Sequence, residues 1–448
     1  MVTIAPFVGT RYNSQLIQDL KSVVAPPSDS ISKEEQKLFH QLHPNNVVRL
    51  ILGYAKPSDD EYSNKFTRAA NYLQTWKRDG ILVEDDKKSF YIYEQRFTLP
   101  DGKEKVRMGI FGLVKLEDCK KGGIRSQEKT HSKIKQDSLK LMRATKSNLF
   151  PILLLFSDPE SKIDPILSER MSTKPWLEVI DFNNVLHRLW VVNKKNNIND
   201  IIKALEEKNT FIADGYQKYE TALTYQKEMR EDTGLTDGNQ PFDYMMVYLT
   251  TFEDPGLVIL PTHRVLSNEL GSNIDINEIV KELKENFSVN TIKIDPNNIR
   301  NSTQKIIRDL DEKGKENTCF GMVIPNYRAY IISLKKDVST SELIDLPVSD
   351  EVKKLDVTIL HHHIISQVWV GNPEYEIEEE DILYVKDAEE AISLVQNKKR
   401  CVAFLMNPVK LEQIKAIANK GEIMPQKSTY FYPKLLSGLV MRDMSVKK

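Results

Sequence analysis

Apolar and polar positions along the 448 residues change period several times, and each period predicts an element. Ser32-Lys-Glu-Glu35 has the spacing of a capping box and predicts a helix through His40. His43-Pro-Asn-Asn46 breaks that helix, and the apolar run Val47–Leu52 predicts a buried strand. Residues 60–79 repeat at helical spacing and stop at Gly80. Ser89–Leu99 and Lys105–Leu116 alternate with period two around Asp101-Gly102, which predicts a hairpin. A helix follows over Gln127–Ala144, then strands over Phe150–Phe156, Leu177–Phe182 and Arg188–Val192.

The helix Asn199–Lys208 leads to a short apolar strand ending at Asp214. Gly215 permits a tight turn, and a further helix runs to about Arg230. Residues 232–241 are polar and glycine-containing, as a connecting loop is. Beyond them come apolar strands at Tyr244–Phe252 and Leu257–Leu260, a helix near Ile276–Glu285 and a strand at Thr291–Ile294. A helix at Thr303–Glu312 precedes strands Phe320–Ile324 and Ala329–Leu334, and helix–strand alternation continues through Phe404. The pattern predicts an α+β (mixed α/β) chain. Its length implies more than one core, with an N-terminal α+β domain over 1–231 and a C-terminal α/β domain over 242–448.

Composition narrows the function classes. Lys+Arg 63 against Asp+Glu 64 leaves a net charge of -1 and argues against a nucleic-acid partner, which needs clustered cationic excess. Cys119, Cys319 and Cys401 lie far apart with no Cys-x-x-Cys, so neither a disulfide framework nor a zinc site is expected. No apolar run is long enough for a bilayer span or a signal core, and a cytoplasmic protein is expected.

Candidate chemistry concentrates at a few places. A strand, a glycine turn and a helix N-terminus at Asp214-Gly215 aim N–H groups at one spot, which suits an anion. Lys218 adds a point charge one turn on, and Asp214 is placed to orient a hydroxyl or a metal. Glu128 opens a predicted helix, where a carboxylate serves as general base or Mg²⁺ ligand, or simply complements the helix dipole. Thr262-His263-Arg264 follows a buried strand, and the Arg264 fork fits a carboxylate. Gly421 to Ser428 approaches a phosphate-loop pattern. Gln426 replaces the second glycine and Pro425 removes an N–H, so Lys427 is at most a pocket residue there. His361-His362-His363 cannot converge on one ion from consecutive helical positions and reads as a partly exposed helix face.

Five segments carry a family resemblance over nearly the whole chain: Pro26-Pro-Ser-Asp29 with Asn45-Asn-Val-Val-Arg-Leu50; Gln127-Glu-Lys-Thr130 with Lys135 and Asp137; Asp214-Gly215 with Tyr219-Glu-Thr-Ala222; Asp254 to Arg264; and Met424 to Lys434. The chain resembles the family catalogued as domain of unknown function 1015. Its Asp-Gly turn also resembles that of the ParB/sulfiredoxin scaffold, which includes free-serine kinases. The resemblance implies a nucleotide-binding core of that type plus a second α/β domain. It also implies Mg²⁺ with ATP or ADP, and a phosphotransferase acting on a small hydroxylated acid such as serine. Under that implication Glu128 and Asp214 are catalytic, and Gly215, Lys218, His263, Arg264 and Lys427 bind ligand or phosphate. The family usually has His-Glu at Gln127-Glu128, His-His-Arg at Tyr216-Gln217-Lys218 and Arg at Ser138. These departures support an alternative, a non-catalytic ligand-binding or regulatory protein.

Overall fold

In the computed structural model, residues 2–117, 124–125, 132–206, 208–271, 274–378, 380–422, 424–425 and 427–446 are described. The chain forms two compact units, one of Met1–Val258 with Pro433–Lys448 and the other of Ile259–Tyr432. The division therefore differs from the 232–241 boundary that loop composition suggests. The strand after that loop, Tyr244–Thr251, pairs on both edges inside the first unit's sheet. Sheet pairing overrides a local polar stretch, because an unpaired apolar strand would leave its backbone groups unsatisfied.

The first unit is built on a mixed nine-stranded sheet. Its strands are β1 (Ile4–Ala5), β2 (Phe90–Thr98), β3 (Glu104–Lys115), β4 (Ile124–Arg125), β5 (Ile152–Phe156), β6 (Leu177–Ile180), β7 (Leu186–Val192), β8 (Thr210–Asp214) and β9 (Tyr244–Thr251). They lie in the order β4-β8-β5-β9-β3-β2-β7-β6, with β1 beside β3. The predicted hairpin is β2–β3, closed where the Gly102 N–H donates to Leu99 O at 2.8 Å.

Alternation sorts the side chains of β2 onto two faces. Phe90 and Ile92 join a large apolar core with Ile110, Leu154, Trp190, Ile212 and Val247. Tyr93 and Gln95 alternate with these residues and are equally buried. They share their layer with Arg107, Tyr248 and His187: Arg107 bonds Gln95, Tyr93 bonds His187, and the Arg107 guanidinium lies over the Tyr248 ring. One side of the sheet is thus an ordinary apolar core, while the other is aromatic and polar.

Helices α1 (Lys33–Leu42), α2 (Val48–Ile51) and α3 (Lys65–Arg78) surround a smaller core of Phe39, Val47, Val48, Leu73 and Trp76. The Ser32–Glu35 capping box forms as its spacing predicts. The expected strand at Val47–Leu52 is instead α2, a correction to the sequence reading. Asn46 Oδ1 accepts the Val48 N–H at 2.9 Å and starts the turn. Burial of Val48, Leu50 and Ile51 supplies the apolar run that a strand would also show. Helices α4 (Ser132–Thr145) and α5 (Tyr216–Thr233) complete the elements that matter below.

The second unit carries a six-stranded sheet. Its strands are β10 (His263–Leu266), β11 (Phe287–Lys293), β12 (Cys319–Ile324), β13 (Arg328–Leu334), β14 (Ile382–Val385) and β15 (Val402–Met406), in the order β11-β13-β12-β15-β10-β14. Ile359–Trp369 is a π-helix, and His363 within it is buried rather than part of an exposed face. Among the described residues no helix is long and apolar enough to cross a membrane.

Candidate functional site

The strand–turn–helix at Asp214 forms as expected. Thr210 to Ala213 are buried, so β8 is held firmly in the sheet up to its last residue. Opposite β5 the register shifts between Ile212 and Asp214, and this irregularity re-aims the strand end. Gly215 has φ 92° and ψ 25°, a left-handed conformation that disfavours a side chain. A Cβ there would also lie 2.7 Å from Ile152 Cγ2. Helix α5 then starts with no side-chain cap, and its Lys218 and Tyr219 N–H groups return to Gly215 O at 2.9 and 3.1 Å. An 18-residue helix whose N-cap, Gly215, has no side chain to cap it directs first-turn N–H groups and a partial positive charge at the turn.

Two lysines bring charge to this segment. Lys434 Nζ lies 2.5 Å from Asp214 Oδ2. Lys218 Nζ lies 3.7 Å from Asp29 Oδ2 and 4.4 Å from the centre of the Phe150 ring. The Lys434 and Lys218 side chains are mostly covered, while Asp214 and Asp29 keep more exposure. Coverage directs the cations and leaves the carboxylates reachable from solvent.

Lys434 is placed by buried groups on the polar face of the sheet. Gln95 Nε2 donates to the Lys434 carbonyl at 3.0 Å. Arg107 Nη2 donates to the neighbouring Pro433 carbonyl, and Arg107 Nε donates to Gln95 Oε1 at 3.1 Å. Gln95 and Arg107 are both fully buried. Two buried, mutually bonded side chains that donate to consecutive carbonyls fix the backbone from which the Lys434 side chain extends.

The remaining predicted residues fall elsewhere. Glu128 lies outside the described residues. His263 and Arg264 belong to the second unit, on β10, and both are buried. His263 Nδ1 accepts the Met406 N–H at 3.1 Å. Burial, with the Arg264 charge beside it, pushes the His263 pKa down to about 4, so the ring is neutral near pH 7. Arg264 donates to the Thr262 carbonyl, to Lys427 O at 2.9 Å and to His361 Nε2 at 3.3 Å. Lys427 meets Arg264 through its carbonyl, and its own backbone has φ 55°. Tyr430–Tyr432 beyond it is a strand, so the phosphate-loop pattern is not followed by the helix it needs.

The structure therefore gathers Asp214, Gly215 and Lys218 on one turn and groups His263, Arg264 and Lys427 separately in the second unit. Sequence reasoning does not single out Asp29 and Lys434, the ion-pair partners of Lys218 and Asp214, or Gln95 and Arg107, which hold the Lys434 and Pro433 carbonyls. Asp29 and Lys434 do end two of the segments carrying the resemblance, and both are charged. That was the available signal. Nothing in the sequence paired them with Lys218 and Asp214. Among the described residues no group of three His, Cys, Asp or Glu side chains is arranged to hold a metal ion.

Several solved structures resemble this chain. A conserved hypothetical protein from Pyrococcus furiosus is 12% identical, with a TM-score of 0.31, over 76% of this chain and 95% of the other. A free serine kinase mutant in complex with ADP is 13% identical, with a TM-score of 0.32, over 73% and 88%. SbnI from Staphylococcus aureus, truncated at its C-terminus, is 10% identical, with a TM-score of 0.32, over 72% and 85%. Likeness at this level assigns no ligand to this chain. No curated protein matches it. The model of the family described as protein of unknown function (DUF1015) matches residues 4–358, and the chain belongs to that family.

Proposed function

We propose that the first unit binds a phosphate group at the N-terminus of α5 and uses it in phosphoryl transfer to a small hydroxylated acid such as serine. The observation that carries this reading is the Asp214–Lys434 ion pair beside the Gly215 turn. A helix N-terminus with no side-chain cap at Gly215, together with the Lys218 and Lys434 cations, supplies the kind of donors a phosphate needs.

The residues present fit a nucleotide's phosphates on the same grounds. Mg²⁺ is held largely by phosphates and water, with one or two carboxylates. Asp214 would supply one of these, and Glu128 is proposed as the second. Mg²⁺ so held would neutralise charge on the transferring group.

Each residue then has a stated task. Gly215 lets the backbone come close. The first-turn N–H groups of α5 orient the phosphate. Lys218 and Lys434 balance its charge. An arriving phosphate competes with Asp214 for Lys434, and Asp214 is freed to accept the hydroxyl proton or to bind Mg²⁺. Phosphoryl transfer relies on position and charge more than on covalent chemistry, so imidazoles are dispensable in this scheme.

The second reading is a binding protein without turnover. Its supporting observation is that Tyr216 and Gln217 open α5 where the family usually has histidines. Phosphorus NMR with Mg²⁺, ATP or ADP and a panel of hydroxy amino acids separates the two. A new phosphoester signal that disappears in Asp214→Asn supports transfer. Tight binding with no product over hours supports the second reading and overturns the first.

A further inference from the structure

The Asn45–Leu50 segment belongs to the family resemblance, yet the site at α5 makes no use of it. In the structure its Arg49 faces an open groove of about 530 Å³ in the first unit. Five cations line this groove: Lys37, Arg49, Lys56, Lys65 and Arg68. No carboxylate is among the lining residues. Helical spacing explains the clustering. Lys65, Arg68 and Tyr72 are three and four residues apart on α3, and Lys37 and His40 are three apart on α1.

Two of the five cations are neutralised from outside the lining. Lys65 pairs with Asp137 at 2.6 Å, and Arg68 pairs with Asp59 at 2.6 Å. Arg49 donates one nitrogen to His40 O at 2.8 Å, while its Nε is buried with no partner among the described residues. Lys37 and Lys56 are exposed. The groove thus keeps about three uncompensated charges on a protein whose net charge is -1. Like charges gathered around one groove repel, and an anion seated among them offsets that repulsion.

Aromatic surface borders the same space. Tyr54 stacks on His40 with centroids 4.1 Å apart, and Tyr72 stands near Arg49. Both tyrosines remain exposed, at 43% and 37%. Burial lowers the His40 pKa, so the ring is part of the aromatic wall rather than a sixth cation. Cations beside open aromatic faces suit an anionic group attached to a planar one.

We propose that this groove is a second binding site, for a small molecule carrying a di- or triphosphate group, with Tyr54 and Tyr72 facing its planar part. The groove lining shares no residue with the α5 turn, and the proposal stands or falls without that reading. The test is calorimetric titration of the full chain at low salt with tripolyphosphate, ADP and a short single-stranded oligonucleotide. The background carries Lys218→Met and Lys434→Met to silence the α5 site. The expected result is saturable binding of tripolyphosphate and tighter binding of ADP. Lys37→Glu with Lys56→Glu, both at exposed positions, should weaken both by about tenfold or more. Absence of binding at millimolar ligand, or affinity unchanged by the double charge reversal, overturns the proposal. So does an oligonucleotide that binds more tightly than ADP, which would make the groove a nucleic-acid surface. Failure of the α5 reading would show instead as missing turnover with this binding intact.

Discussion

Gly215→Ala is constrained twice, by backbone conformation and by a close neighbour. The native φ of 92° is left-handed, and an L side chain there costs about 1–2 kcal/mol. The new Cβ would sit 2.7 Å from Ile152 Cγ2 and 3.1 Å from Ile152 Cβ. Ile152 is buried in the main core, so it yields only by disturbing its neighbours, at a cost of roughly 1–3 kcal/mol. Loss of glycine's freedom in the unfolded chain returns about 0.4–1 kcal/mol. The net expectation is a destabilisation of roughly 2–4 kcal/mol. Gly234→Ala is the control, because Gly234 has φ 71° with nothing within 4 Å of an added Cβ. It carries the conformational cost alone, roughly 1 kcal/mol. Urea unfolding followed by tryptophan fluorescence measures both, since Trp76, Trp176 and Trp190 all belong to the first unit. Ile152→Ala should shrink the penalty of Gly215→Ala by about 1 kcal/mol in a double-mutant cycle. Equal midpoints for the two glycine variants would refute the close approach to Ile152.

Arg107→Met removes the donors to Pro433 O and Gln95 Oε1 in a buried site, and should destabilise the first unit by about 2–4 kcal/mol in the same urea assay. Lys434→Met should cost less than about 1 kcal/mol, because its ion pair is partly exposed, yet should weaken binding of tripolyphosphate at the α5 turn. In the second unit, His263 contributes a pH-dependent share of the stability. Its folded pKa is depressed to about 4, so the unfolded chain binds the proton first as pH falls. The His263 contribution to stability is fully present above pH 6.5 and is lost progressively between about 6.5 and 4, by roughly 3 kcal/mol. Buried Asp356, its pKa pushed up to about 6, contributes with the opposite sign over the lower part of that range. The difference in urea midpoint between the wild-type chain and His263→Asn, followed by Trp369 fluorescence, should change across that range as the His263 contribution requires.

What could be read from the sequence was local. The Ser32–Glu35 box, the hairpin around Asp101-Gly102 and the turn at Gly215 are each set by a few adjacent residues. All three formed as expected. Val47–Leu52 misled because a short buried apolar run satisfies a helix as well as a strand. The unit division was hidden because Pro433–Lys448 returns to the first unit after a long excursion, and no local signal marks such a return. The same return hid Lys434, whose partner Asp214 is 220 residues away. The residue type of Arg264 suggests a ligand clamp, while its hydrogen bonds to Lys427 and His361 depend on contacts distant in sequence and are not legible locally.

The central claim is that a phosphate binds at the N-terminus of α5. Amide NMR of the full chain, titrated with ADP and Mg²⁺, tests it most directly. The account predicts large shifts for the Gly215, Tyr216 and Gln217 amides, with a smaller one at Lys218, and their loss in Lys434→Met. Saturable ADP binding that leaves those amides unmoved would contradict it.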